Sequence, residues 1–100
     1  MNQVGLTERE LNILRGAFGE HPSITRVRVF GSRAKLTHRP NSDVDLAVWS
    51  DSGAQLPPGL ALDLDELPLP YIFDVIAFEA ITSPDLRDHI ERVGVDVFQR

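Results

Sequence analysis

The sequence predicts an α/β (α+β) domain, with strands and short amphipathic helices interleaved around one core. Three observations predict it. Segments 24–30, 43–48 and 71–78 are rich in Val, Ile and Phe, and the first two alternate apolar and polar residues with period two. Flanking segments carry apolar residues three and four apart, with start and stop signals at their ends. The chain has 100 residues, enough for a single domain over 1–100 with an adequate but not generous core. Its 42% hydrophobic and 25% charged residues are ordinary for a globular protein.

The first element is a helix. Thr7-Glu8-Arg9-Glu10 has capping-box form, in which the Thr and the Glu three residues on satisfy each other's free amides. The helix should run to about Phe18, with Leu11, Leu14 and Phe18 on its inner stripe and Ile13 and Ala17 widening it. Gly19 and Pro22 end it. The strand from Ile24 to Phe30 turns Val27 and Val29 one way and Arg26 and Arg28 the other. Those two arginines are read as the wet face of an edge-like strand. The strand delivers Gly31-Ser32, and Arg33 to Asn41 has room for one helical turn before Pro40-Asn41 redirect the chain.

In the next strand Val44, Leu46 and Val48 alternate with Asp43, Asp45 and Ala47. Ser50-Asp51-Ser52-Gly53 then makes a turn. Pro57-Pro58 should start a short helix reaching about Leu67, with Leu60, Leu64 and Leu67 inward and Asp63, Asp65 and Glu66 solvated. The third strand, Tyr71 to Phe78, groups Asp74 with Ile72 and Ile76, opposite Phe73 and Val75. Ser83-Pro84-Asp85 opens the last helix with an N-cap, a proline at the first position and an early acid. Leu86, Ile90 and Val93 form its apolar stripe, Gly94 stops it, and Val95, Val97 and Phe98 suggest a closing strand.

The chemistry concentrates between Phe30 and Val48. Period two sends Asp43 and Asp45 to one side of a strand, roughly 6–7 Å apart at ~3.3 Å per residue. Like charges held together on an apolar strand repel and lose water, which a cation or a wet strand end relieves. Gly31 permits close approach of backbone to a ligand, and the amides after it can converge on an anion. The Ser32 hydroxyl suits a terminal phosphate oxygen. Arg33 could reach a phosphate, and His38 and Arg39 a base or partner, though each reads first as a solvated loop residue, with Arg33 the best of the three as a ligand. A lone carboxylate such as Asp74, among Tyr71, Ile72, Phe73, Val75, Ile76 and Phe78, is costly unless paired or bound to metal.

Composition excludes several classes. A net charge of −5 argues against general nucleic-acid binding, which favours a basic surface. Five of the ten Lys and Arg residues nevertheless fall between Arg26 and Arg39 (with Arg28, Arg33 and Lys35), a local basic patch suited to a phosphate chain or an acidic partner. With no cysteine there is no disulfide, zinc-thiolate site or thiol catalysis. His21, His38 and His89 are too scattered to suggest a metal site. The first ten residues lack the apolar core of a signal peptide, and no apolar run approaches the ~20 residues of a membrane span, so the cytoplasm is the expected compartment.

Gly31-Ser32-Arg33-Ala34 directly after one strand, and Ser42-Asp43-Val44-Asp45-Leu46-Ala47-Val48 beginning about ten residues later, resemble the signature of the DNA polymerase beta-type nucleotidyltransferase superfamily. Within it they resemble the MNT-domain (minimal nucleotidyltransferase) antitoxins that stand beside a HEPN-domain toxin. The resemblance runs from about Phe18 to the C-terminus. It departs at Leu36, where a small residue, often Gly, is expected.

This resemblance implies a small nucleotidyltransferase fold: a mixed sheet of about four strands with helices packed mainly on one face. It also implies a site. Asp43 and Asp45, with Asp74 as the third acid, would hold Mg²⁺, two ions in the fullest form, and carry the catalysis. Gly31, Ser32 and Arg33 would bind ATP through its phosphates. The implied reaction transfers AMP to a tyrosine of the HEPN ribonuclease, silencing it, in a hetero-oligomer of a type VII-like toxin–antitoxin pair. Two other readings stand beside it. One is a non-catalytic antitoxin that neutralises by contact. The other, placed last because the chain has no evident acceptor-binding domain, is a small-molecule nucleotidyltransferase.

Overall fold

The computed structural model describes residues 5–31 and 43–100. Ser32, Arg33, Lys35, Leu36, His38, Arg39 and the Pro40-Asn41 turn lie outside the described residues.

Helix α1, Glu8–Gly19, opens on the expected capping box. Glu10 N–H donates to Thr7 Oγ1 at 3.1 Å, and Thr7 N–H donates to the Glu10 carboxylate at 2.9 Å. The helix buries Leu11, Leu14, Ala17 and Phe18. Four strands follow the pattern of the sequence: β1 is Ile24–Phe30, β2 Val44–Ser50, β3 Phe73–Ala77 and β4 Val95–Gln99. Their order in the sheet is β3-β2-β1-β4, with β3 parallel to β2 and the other two pairings antiparallel. The sheet is therefore mixed, as expected.

Strand β1 lies in the middle of the sheet, which corrects the edge-like reading of Arg26 and Arg28. Neither arginine is simply wet. Arg26 Nε and Arg28 Nε donate to the same Asp96 oxygen across the β1–β4 pair, at 2.9 and 2.8 Å. Arg28 Nη1 also donates to the Ile90 and Glu91 carbonyls at 3.0 and 2.9 Å. It satisfies the orphan Glu91 carbonyl at the end of helix α3, Pro84–Val93, and is a second donor to Ile90, whose carbonyl also accepts Gly94 N–H, a position a cation is well placed to fill.

The alternation that sets the strands also splits the core. On one face Val27, Val29, Val44, Leu46, Val48, Phe73 and Val97 meet Leu14 and Phe18 of α1 and Leu60 and Leu64 of helix α2, Leu60–Asp65. Burying each such side chain contributes about 1.5–3 kcal/mol. On the other face Ala47, Phe78, Ile81 and Ile90 make a smaller cluster that carries α3. Two helices thus share one face, and α3 covers only part of the other. On that second face Arg26, Trp49, Phe78 and Arg87 stack in sequence, with the rings 4.4 Å apart and each guanidinium 4.8 Å from its ring centre.

Two elements are shorter than the sequence suggests. Helix α2 begins at Leu60 rather than at Pro57-Pro58, because Gly59 sits at φ 81°, in the left-handed region, and closes off the preceding turn. It stops at Asp65, short of Leu67. Asp63 is also not purely solvated, since its carboxylate lies 2.7 Å from His21 Nε2 and ties α2 to the end of α1. Strand β3 starts at Phe73, two residues after Tyr71, whose hydroxyl instead donates to Glu10 of α1 at 2.8 Å. Phe78 leaves the strand and begins a single 3-10 turn, Phe78–Ala80.

Candidate functional site

The packing of β2 decides where its acids go. Val44, Leu46 and Val48 are driven into the α1–α2 core, so the opposite parity, Asp45 and Asp43, faces the side that α3 leaves partly open. Strand β3 runs parallel to β2 in the register Asp45↔Asp74. In a regular sheet this sets the two carboxylates side by side on one face, on strands about 4.8 Å apart. Asp43 and Asp74 are exposed and Asp45 is half-buried.

The Gly31 turn reaches the same place from the other side. The antiparallel register pairs Phe30 with Asp45, which brings Gly31 over the Asp45 side chain. Gly31 has φ 76°, and a Cβ added there would collide with Asp45 Oδ2. Only a glycine lets the chain turn this close to the carboxylate. Of the residues the sequence nominated, Gly31, Asp43, Asp45 and Asp74 converge at one end of β2 and β3. Ser32 and Arg33 lie outside the described residues. Glu79, of the other parity, stands apart and lies 3.6 Å from Arg87.

The electrostatics agree with the geometry. Burial pushes the Asp45 carboxyl above its ordinary range, and the charges of Asp74 and then Asp43 push it further. Asp45 therefore feels the charge of both other acids, and its position favours a proton or a nearby cation. No three His, Asp or Glu side chains among the described residues close into a ready-made metal cage. The residues still fit a magnesium ion. Mg²⁺ prefers hard oxygen donors and commonly takes one or two carboxylates, completing its shell with water and substrate phosphates. Two exposed carboxylates whose charges raise the proton affinity of a third make such a donor set.

Two apolar side chains flank the acids. Phe30 lies next to Asp45 on the same face, and Ile72, 64% exposed, stands beside Asp74 on its open side. Strand parity placed Ile72 beside Asp74 as expected, whereas Phe30 comes beside Asp45 only through the β1–β2 register. Two hollows of about 360 and 410 Å³ lie elsewhere, one between α1 and α2 and one along β4, and none of the three acids lines either.

These features define a class: a small mixed-sheet domain that clusters carboxylates at the ends of two parallel strands beside a glycine turn. Residues 12–100 match the family described as Polymerase beta, Nucleotidyltransferase, and the chain belongs to it. A comparison with curated proteins gives no match. Among solved structures, the fold is similar to a chain from a toxin–antitoxin crystal structure with AMP-PNP. That pair has 22% identity and a TM-score of 0.73, covering 90% of this chain and 73% of that one. It is also similar to a chain from a crystal structure of the toxin–antitoxin MntA-HpeT, carrying two aspartate-to-glutamate replacements two positions apart. There the identity is 21% and the TM-score 0.70, over the same shares of the two chains.

Proposed function

We propose that this nucleotidyltransferase domain is the antitoxin of a toxin–antitoxin pair and acts by moving AMP from ATP onto a hydroxyl of its toxin. The observation that carries the reading is the convergence of Asp43, Asp45 and Asp74 beside the Gly31 turn. In this reading Asp43 and Asp45 hold Mg²⁺, with Asp74 shared between metal and acceptor. When bound, the metal neutralises phosphate charge and polarises the reacting oxygens. Gly31 brings backbone against the triphosphate, and Ser32 and Arg33 hold its β and γ phosphates. The acceptor oxygen forms a bond to the α-phosphorus while the bond to the pyrophosphate oxygen breaks. The acceptor proton passes to the Asp74 carboxylate, and pyrophosphate leaves.

The exposure of Asp43 and Asp74 favours a macromolecular acceptor. A small acceptor needs walls, whereas a protein brings its own surface. The toxin–antitoxin chains of similar fold, one with AMP-PNP, support the same partner and nucleotide class. The resemblance to MNT antitoxins adds a tyrosine of a HEPN ribonuclease as the acceptor. A second reading, which the same toxin–antitoxin likeness supports, is neutralisation by contact alone.

One experiment separates them. The purified domain is incubated with its toxin, Mg²⁺ and α-labelled ATP. Transfer of label to the toxin is expected, with none from the Asp43→Ala, Asp45→Ala double variant. A complex that forms without transfer, with cells still protected by the folded double variant, would overturn catalysis in favour of contact.

A further inference from the structure

The two edges of the sheet are treated differently. At β4, Arg15 Nε donates to the outward carbonyl of Val97 at 2.9 Å, and the β1–β4 register slips between Val27 and Arg28. A side-chain plug and a bulge are standard ways of refusing another strand. At β3 neither is present among the described residues. Val44 N–H donates to the Ile72 carbonyl, and the pairing then advances evenly from Val44↔Phe73 to Val48↔Ala77. In such a parallel ladder Ile72, Asp74 and Ile76 bond inward to β2. The N–H and C=O of Phe73 and Val75, and the N–H of Ala77, point outward. Among the described residues no group answers them. This open edge borders Asp74, and exposed Ile72 and half-buried Ile76 flank that acid on the same face.

We propose that the free edge of β3 receives the acceptor protein as an extended segment, which adds a fifth strand and sets a hydroxyl side chain beside Asp74. That the occupant is an acceptor rests on the transferase reading above. That it is an extended peptide rests on the unpaired backbone groups, whose spacing only another strand matches. Register then dictates its sequence. The residue beside Asp74 bears the hydroxyl, and the residues two before and two after it lie against Ile72 and Ile76 and are apolar. The domain's net charge of −5 favours basic residues at the intervening positions.

The test uses the whole domain, isotope-labelled, and the blocked peptide Thr-Val-Lys-Tyr-Lys-Val-Thr as probe. Peptide binding should slow exchange of the Phe73, Val75 and Ala77 amides about tenfold or more, with or without ATP. N-methylating the peptide on its odd or on its even residues should abolish binding in one phase only, because alternate amides face β3. Ile72→Ser should weaken binding about tenfold with the fold unchanged by circular dichroism. No binding at millimolar peptide, binding that leaves the three amides unchanged, or equal binding by both methylated phases overturns the proposal. Edge protection without label transfer from α-labelled ATP to the peptide tyrosine leaves the docking intact and counts against the transferase reading. Transfer with the edge amides untouched does the reverse.

Discussion

The Asp45 carboxylate occupies the space that a Cβ on Gly31 would fill. The turn and the acid are therefore built around each other, one surrendering its side chain so that the other can stand beneath it. Gly31→Ala meets two separate obstacles, the positive φ of 76° and the collision with Oδ2. A loss of about 1–3 kcal/mol in urea unfolding is expected. In the Asp45→Gly background the collision vanishes and only the backbone strain remains. The double-mutant cycle should then show a coupling of about 0.5 kcal/mol or more. Additive losses would mean that the carboxylate swings clear.

Asp45 is held at a cost to the fold. Its folded pKa is raised by burial and by Asp74 and Asp43, so its stabilising contribution is complete only below the unfolded value of about 3.9 and is lost as pH rises through the folded value. At neutral pH and with chelator present, Asp45→Asn should raise stability by a few tenths to about 1 kcal/mol, a modest figure because the half-open site is screened. The gain should fade below about pH 4. Adding Mg²⁺ should raise the Tm of the wild-type domain and leave that of Asp45→Asn nearly unmoved. Thermal melts with and without metal check both.

The opposite sign applies at Asp96. Burial pushes its carboxyl up, but hydrogen bonds and charge from Arg26 and Arg28 outweigh burial, so the net pKa is lowered. Its stabilisation is present above the unfolded value of about 3.9 and is lost as pH falls through the folded one. Asp96→Asn should cost about 1 kcal/mol or less at neutral pH, since a third of the carboxylate is exposed, and should flatten the acid limb of the stability curve. Arg28→Ala should cost more than Asp96→Asn, because it also strips the Glu91 carbonyl of its donor and the Ile90 carbonyl of one of its two. Urea titrations across pH 3–7 would show both effects.

Most of the strand pattern and three of the converging site residues were legible because each depends on local chemistry. Period two places Asp43 and Asp45 on one face without reference to any other element, and the Thr7–Glu10 box closes within four residues. The convergence of Asp74 depends on strand order and register, which no local pattern encodes, and the family resemblance supplied it. The same blindness misplaced Arg26 and Arg28. Alternating arginines read as wet until Asp96, seventy and sixty-eight residues away, appears beside them. Gly94 stopped α3 as expected, but not by a left-handed turn. Its φ is −65°, and its use is steric: a Cβ there would strike the Ile90 carbonyl and sit 3.1 Å from Arg28 Cδ. Gly59 shortened α2 through its backbone angle, a property invisible beside the strong proline signal at 57–58.

The indole of Trp49, pressed between a guanidinium and a phenyl ring, is the only tryptophan in the chain. It sits on the same strand as Asp45, four residues along and on the same face. The molecule thus carries its own optical gauge, attached by a stiff rod to the acids. Light emitted from that ring will register strain in β2 without any label being fixed to the site.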